Sequence, residues 1–392
     1  MSRTRPKKVL IAQLNCVRSY RVRFYELLEE RRPQTWQFEV VHDYEPERAK
    51  RLYPVVVDPS SLKFRTLPVK TFFLSRKRSD IVWQNFFLKA RNYELIITDT
   101  TVSNLTYFAV NAWLALGVKR GFWGHTGDLA ADLKGRSGSK LKQVIEKNRR
   151  KILRLADVVF AYTEEQREGF LEIGVAPHRV VTLHNTIDIV SERNAFERLK
   201  SAREELRRKH EVAGREVVIY LGRLLPEKLL ERAIEAFRIL SQTRPSALLV
   251  IVGDGPHRKT LETLAASLTP EHVRFLDAVD EEIAQELLAC ADLFCLPGQT
   301  GLAPLRALCF DLPVVTFQHR SNTPESAYLT PRNTVFLPPS VSAEEFAETL
   351  SGAFDDWKEP ERRKQLYPTI AHLTMENMVD NFIKGINLAL NV

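Results

Sequence analysis

Arg223 and Lys228, separated by four residues in Leu221-Gly222-Arg223-Leu224-Leu225-Pro226-Glu227-Lys228, stand just after an apolar run that ends at Gly222. A guanidinium and an ammonium beside an open strand end suit a diphosphate, whose oxygens accept charge-assisted hydrogen bonds from both. A solvent-facing pair in an ordinary loop is the alternative. Two more glycine loops follow apolar runs: Gly253-Asp254-Gly255-Pro256 after Ile251-Val252, and Pro297-Gly298-Gln299-Thr300-Gly301-Leu302 after Leu296. Glycine permits a tight strand-to-helix turn, and a helix starting there points bare N–H groups and a positive dipole end at an anion. One such loop is weak evidence; three at the ends of consecutive strands are much harder to attribute to chance. In the first half, His125 lies between glycines after another apolar run, well placed to face a cleft or else an ordinary loop histidine. Asp128 reads as a binder of an acceptor hydroxyl or as a helix cap. Arg18, Arg21 and Arg23 follow the first apolar run, as a phosphate-binding loop or as a solvated helix start.

These residues need a frame. Short apolar runs alternate with amphipathic stretches twice along the chain, which predicts two α/β units, each a doubly wound parallel sheet. The first series has strands at 8–12, 38–41, 95–98, 119–123, 158–161 and 180–183, with helices at 21–30, 79–91, 104–116 and 138–155. The second has strands at 217–221, 248–252, 273–276, 293–296 and 313–316, with helices at 227–241, 256–267, 281–290 and 302–310. A charged segment, 192–216, reads as the spacer. The expected domains are 1–195 and 196–375, with a terminal helix, 376–392, returning to the first. Ligands of such sheets bind outside the carboxyl ends of the strands.

Composition narrows the classes. At 392 residues, 44% hydrophobic and 27% charged, the chain reads as globular rather than disordered. No apolar run approaches the roughly 18 residues a spanning helix needs, and the stretch after the basic N-terminus is too short for a signal peptide. Four cysteines without CxxC spacing disfavour a zinc site or disulfide scaffold and suggest a reducing cytoplasm. Residues 1–195 carry 34 Lys and Arg against 21 Asp and Glu, leaving 23 against 28 within the totals of 57 and 49. The basic half suits anionic lipid or a phosphorylated substrate, and no motif supports nucleic acid as a partner. Seven cations between Lys140 and Arg154 on a helical period read as a solvated face or as a surface for anionic lipid, extended by Arg76-Lys77-Arg78.

The order GRLLPEK, IVGDGP, ACADLFCLPGQTGLAPLRALCFDLPVV and TPE resembles the donor-binding half of GT-B glycosyltransferases, specifically the family 4-like retaining group. ADVVFAYTEEQREGFLEIGV followed by LHNTID is similar to the stretch closing that family's N-terminal domain. The resemblance implies a GT-B fold, two Rossmann-like domains facing a cleft, and transfer of a sugar from a nucleotide diphosphate sugar to a glycan or lipid-linked acceptor. It implies retention of configuration, no metal and no cofactor beyond the donor. Under it, Gly222, Arg223, Lys228 and Gly253 belong to the diphosphate cradle, the amides of Gly301 and Leu302 face the phosphate, and Glu325 is a nucleotide contact. His125 touches the transferred sugar, and Asn185 and Asp188 are architectural; the family has a glycine-rich turn after the first strand, where this chain offers Arg18, Arg21 and Arg23 instead, which suit a phosphate-bearing acceptor. The family has two glutamates along the donor loop and helix; Gly298 and Arg306 stand there instead and are read as donor- and nucleotide-binding positions. Loss of the glutamates implies an altered donor, an altered ribose contact, or a catalytically inactive protein that binds nucleotide or glycan as a regulator or scaffold.

Overall fold

Runs of Val, Ile and Leu bounded by polar residues form strands buried on both faces, because such runs have no polar side to turn to water. A computed structural model describes residues 5–12, 17–43, 57–73, 82–99, 104–126, 140–268, 270–318 and 323–392. It divides into two compact units, residues 1–185 with 375–392, and residues 186–374.

The first unit holds strands β1 (Lys7–Ala12), β2 (Trp36–Asp43), β3 (Thr66–Val69), β4 (Thr71–Phe73), β5 (Val82–Gln84), β6 (Leu95–Thr98), β7 (Lys119–Gly124), β8 (Val158–Ala161) and β9 (Val180–Thr182). Seven make one parallel sheet, β3-β2-β1-β6-β7-β8-β9, and β4 and β5 pair separately as an antiparallel ribbon. Side chains alternate across the sheet. Val9 and Ile11 pack on one side with Phe24 of helix Ser19–Arg31 and Phe382 of helix Met375–Leu390, while Leu10 and Ala12 face Phe86 and Tyr107 on the other.

The second unit has β10 (Glu216–Leu221), β11 (Ala247–Val252), β12 (Val273–Leu276), β13 (Leu293–Leu296), β14 (Val314–Phe317) and β15 (Thr334–Leu337), all parallel in the order β12-β11-β10-β13-β14-β15. The order reverses between β10 and β13, which is where doubly wound sheets open a crevice for a ligand.

Three expectations change. The stretch 79–91 is not one helix: Val82-Trp83-Gln84 pairs with Thr71-Phe72-Phe73, and the helix there is only Phe87–Ala90. Branched and aromatic side chains favour that pairing over a helix. Residues 192–216 are not a spacer but carry helices Ile189–Leu199 and Arg203–Lys209, whose Ile189, Ala195 and Leu206 enter the core of the second unit. The boundary therefore falls after Asn185 rather than 195. The stretch 104–116 is α-helical only over Leu105–Ala109, then 3-10 to Leu116, where Gly117 ends it at φ 81°.

Candidate functional site

The loops leaving β10, β11, β13 and β14 are hydrogen-bonded to one another. Leu224 N–H donates to the Asp254 carbonyl at 2.9 Å, Gln299 N–H to the Glu227 carbonyl at 3.0 Å, and Gly301 N–H to Thr323 Oγ1 at 2.9 Å. Two glycines make this closeness possible. A β-carbon on Gly253 would lie 2.0 Å from the Gly222 carbonyl oxygen, and one on Gly298 would lie 2.1 Å from that of Glu227. Arg223, Lys228, Gly253, Gly298, Gly301 and Glu325 thus belong to one set of loops at the carboxyl ends of the sheet.

Arg223 is exposed at the exit of β10, its carbonyl held by the buried Tyr220 hydroxyl at 2.8 Å. Lys228 is half-buried, and its ammonium donates to the Gln299 carbonyl at 2.5 Å. Burial depresses its pKa below the ordinary lysine value, against a smaller opposing effect from Glu227. A cation in that condition gains from a nearby anion, because the anion returns the charge stabilisation that water no longer supplies. Leu229 follows at φ 51°, a strained conformation for a branched residue, and starts helix Leu230–Thr243. Glu325 is buried in the 3-10 turn Pro324–Tyr328.

Two expected donor contacts are otherwise engaged. The Gly301 amide is already bonded to Thr323, so it does not stand open beside Leu302. Arg306, on helix Ala303–Cys309, is ion-paired with Glu192, whose Oε1 lies 2.9 Å from its Nε, and donates from Nη2 to Glu281. Its guanidinium is therefore held by carboxylates rather than offered to a nucleotide. Burial, with Glu281 beside it, raises Glu192 to about 7 despite that guanidinium. Thr323, Glu192 and Glu281 carry no local pattern that would mark them.

In the first unit, Arg18 immediately precedes helix Ser19–Arg31 and is half-buried. Arg21 is not an acceptor contact but a core residue, 3% exposed. Its guanidinium bonds Asn185 Oδ1, reaches Met378 Sδ at 3.6 Å and lies 5.0 Å over the Trp123 ring, tying the first helix to the last. His125 follows β7, half-buried, with its ring 5.7 Å from that of Tyr162. The next residue is fixed by Gln166, whose Oε1 accepts from Thr126 N at 2.6 Å and from its hydroxyl at 2.7 Å. Asp188 Oδ1 caps helix Ile189–Leu199 through Ser191 N at 3.0 Å. Asp128 and Arg76-Lys77-Arg78 lie outside the described residues. Among the described residues no cluster of three His, Cys, Asp or Glu side chains has the arrangement of a metal site, and no helix is long and apolar enough to cross a membrane.

Two family models match in tandem: "Glycosyltransferase Family 4" over residues 21–190 and "Glycosyl transferases group 1" over residues 202–367. A GDP-mannose-dependent alpha-(1-6)-phosphatidylinositol monomannoside mannosyltransferase of Mycolicibacterium smegmatis is 34% identical over 125 residues, 29% of this chain and 33% of that protein. The chain thus spans about a third of the length of the first curated relatives it matches. An alpha-D-kanosaminyltransferase of Streptomyces kanamyceticus is 26% identical over 228 residues, 57% of each chain. Among solved structures, Anabaena HepE in complex with UDP superposes with a TM-score of 0.69 over 97% of this chain and 99% of its own, at 16% identity.

Proposed function

From the premise that the chain belongs to the GT4-like glycosyltransferases of the GT-B fold, we propose that it transfers a sugar from a nucleotide diphosphate sugar to a glycan or lipid-linked acceptor. The observation that carries this reading is the placement of Arg223 and Lys228 in interlocked loops at the switch point of the second sheet. When the bond from the anomeric carbon to the phosphate oxygen breaks, the electron pair leaves with the diphosphate. The two cations stabilise that charge at fixed positions, which lowers the barrier without reorganisation. The acceptor hydroxyl attacks the same face, its proton passing to the departing phosphate, so that configuration is retained and no metal is required. His125 acts at the transferred sugar and Arg18 at a phosphate on the acceptor. The exposed cations of helix Lys140–Arg154 hold the protein to an anionic membrane surface, on its cytoplasmic side.

One observation favours a second reading, binding without turnover: the two carboxylate positions hold Gly298, closed off by the Glu227 carbonyl, and Arg306, paired with Glu192. A panel of UDP- and GDP-sugars, scored by thermal shift and by slow donor hydrolysis, separates the two. The transferase reading expects a donor to be consumed, with Arg223→Ala and Lys228→Ala abolishing both signals and His125→Ala only hydrolysis. A thermal shift from nucleotide with no donor consumed would establish the binding-only reading. No shift from any nucleotide would remove both. The curated mannosyltransferase uses GDP-mannose and the solved neighbour holds UDP, so both bases belong in the panel.

A further inference from the structure

Nine lysine and arginine side chains, against five aspartates and glutamates, line a cavity of about 760 Å³ in the second unit. It lies where strands begin, beside Glu216 at the start of β10, Asp292 just before β13 and Leu312 just before β14. Arg223 and Lys228 follow the opposite end of the same sheet. Much of its wall comes from the charged segment around Arg193, Arg203 and Arg207.

In this wall Arg193 pairs with Asp311 at 2.7 Å and Arg244 with Glu216 at 2.6 Å and with Asp355, but the other cations are not matched pair by pair. Asp292 alone serves three guanidiniums: Arg203 at 2.7 Å, Arg207 at 3.5 Å and Arg363 at 3.8 Å. Glu204 is 4.0 Å from Arg203, but its side chain is 73% exposed and weakens the excess little. Arg207 is consumed structurally, donating to the carbonyls of Cys290 and Val212. Arg203 likewise donates to Ala289 and Ala291, where helix Glu281–Cys290 ends. Arg363 differs: its Nε donates to the Trp357 carbonyl, and its nearest carboxylate is the distant, shared Asp292. Burial holds its pKa below the usual arginine value, against the opposing pull of Asp292 and with smaller help from Arg203 and Arg207. Lys358 lines the same cavity and makes no ion pair among the described residues. Phe196, Phe310 and Phe354 supply an apolar side.

We propose that this cavity is a second anion site, separate from the diphosphate loops, that binds a phosphate-bearing small molecule between Arg363 and Lys358. The volume falls in the range of small-ligand pockets, and a phosphate dianion matches both the excess charge and the fork geometry of arginine. The site stands whether or not the protein transfers sugar. Its test uses the full chain carrying Arg223→Ala and Lys228→Ala, which removes the proposed donor contacts. Titration calorimetry with inorganic phosphate, pyrophosphate and glucose 6-phosphate is expected to give one-to-one binding. Adding Arg363→Gln and Lys358→Gln weakens it about tenfold or more. Tighter binding of glucose 6-phosphate than of pyrophosphate identifies an organic ligand, and the reverse identifies the inorganic anion; both support the site. If Arg363→Gln lowers the unliganded melting temperature, Lys358→Gln alone carries the test, with an expected loss of about threefold. Failure of all three probes to bind, or affinities untouched by the substitutions, overturns the proposal.

Discussion

A β-carbon at position 298 would press on the Glu227 carbonyl at 2.1 Å and on the Lys228 backbone at 2.5–2.6 Å, so the residue type there sets the position of the ammonium. Gly298→Ala is expected to displace the 226–228 turn, weaken nucleotide binding about tenfold and lower the melting temperature, overpacking of this kind costing about 1–3 kcal/mol. Thermal shift with UDP and GDP checks both effects, and an alanine variant with full affinity would show that the turn does not position Lys228. The same contact bears on the missing carboxylate, because restoring glutamate at 298 would require the turn to move first. Arg306 poses a different question, since Glu192 faces it from a buried position. Burial raises the folded-state pKa of Glu192 from 4.5 to about 7. Its contribution to stability is therefore fully present below the unfolded-state value and is lost as pH rises toward 7. The melting temperature of the wild type should fall more steeply between pH 5 and pH 7 than that of Glu192→Gln, roughly the window those two values bound. Parallel curves would mean that the ion pair with Arg306 keeps Glu192 ionised throughout.

Most strands were legible within a residue or two, because a parallel strand buried on both faces is an unbroken apolar run. The exceptions are edges and pairings. Strand β3 contains Pro68 and lies at the border of its sheet, β15 borders the other, and β4 with β5 exists only because each covers the other's backbone. The glycine loops and the Arg223–Lys228 pair were legible because their signal is local in sequence. Arg21 and Arg306 were not, since their partners Asn185 and Glu192 lie far away in the chain. Helix Met375–Leu390 was legible as a terminal helix returning to the first unit. It is joined to the first unit by the Arg31–Asp380 ion pair at 2.6 Å, by Trp36 Nε1 donating to Asn387 Oδ1 at 2.8 Å and by packing, with Phe382 stacked 4.3 Å from Phe160 and tilted 4.9 Å from Trp123. Phe382→Ala removes a fully buried ring and is expected to cost about 3–5 kcal/mol, read by urea denaturation. If the helix is a detachable appendage, that variant will unfold at the wild-type midpoint.

At the scale of the whole molecule, charge decides what the protein meets before any site is filled. The chain carries 57 cations against 49 anions, and the excess lies in residues 1–195. Within helix Lys140–Arg154, Arg149 is buried and does not reach a headgroup, while Arg154 gives its Nε to the Ile173 carbonyl and stays exposed. Lys147 and Lys151 are exposed, and Leu155, just past the helix end, is 63% exposed. Residues four apart on a helix share a face, so the two lysines form a cationic stripe that leads to an apolar residue. Two lysines at an anionic surface contribute about 1 kcal/mol each, so Lys147→Gln with Lys151→Gln should weaken binding to phosphatidylglycerol vesicles about thirtyfold. The wild-type affinity should itself fall steeply with added salt, because the attraction is screened within a Debye length. Donor hydrolysis in free solution should be unchanged, since neither lysine belongs to the diphosphate loops. Equal binding to phosphatidylcholine vesicles, or binding insensitive to salt, would leave the basic half without a membrane role and point to a soluble phosphorylated acceptor instead.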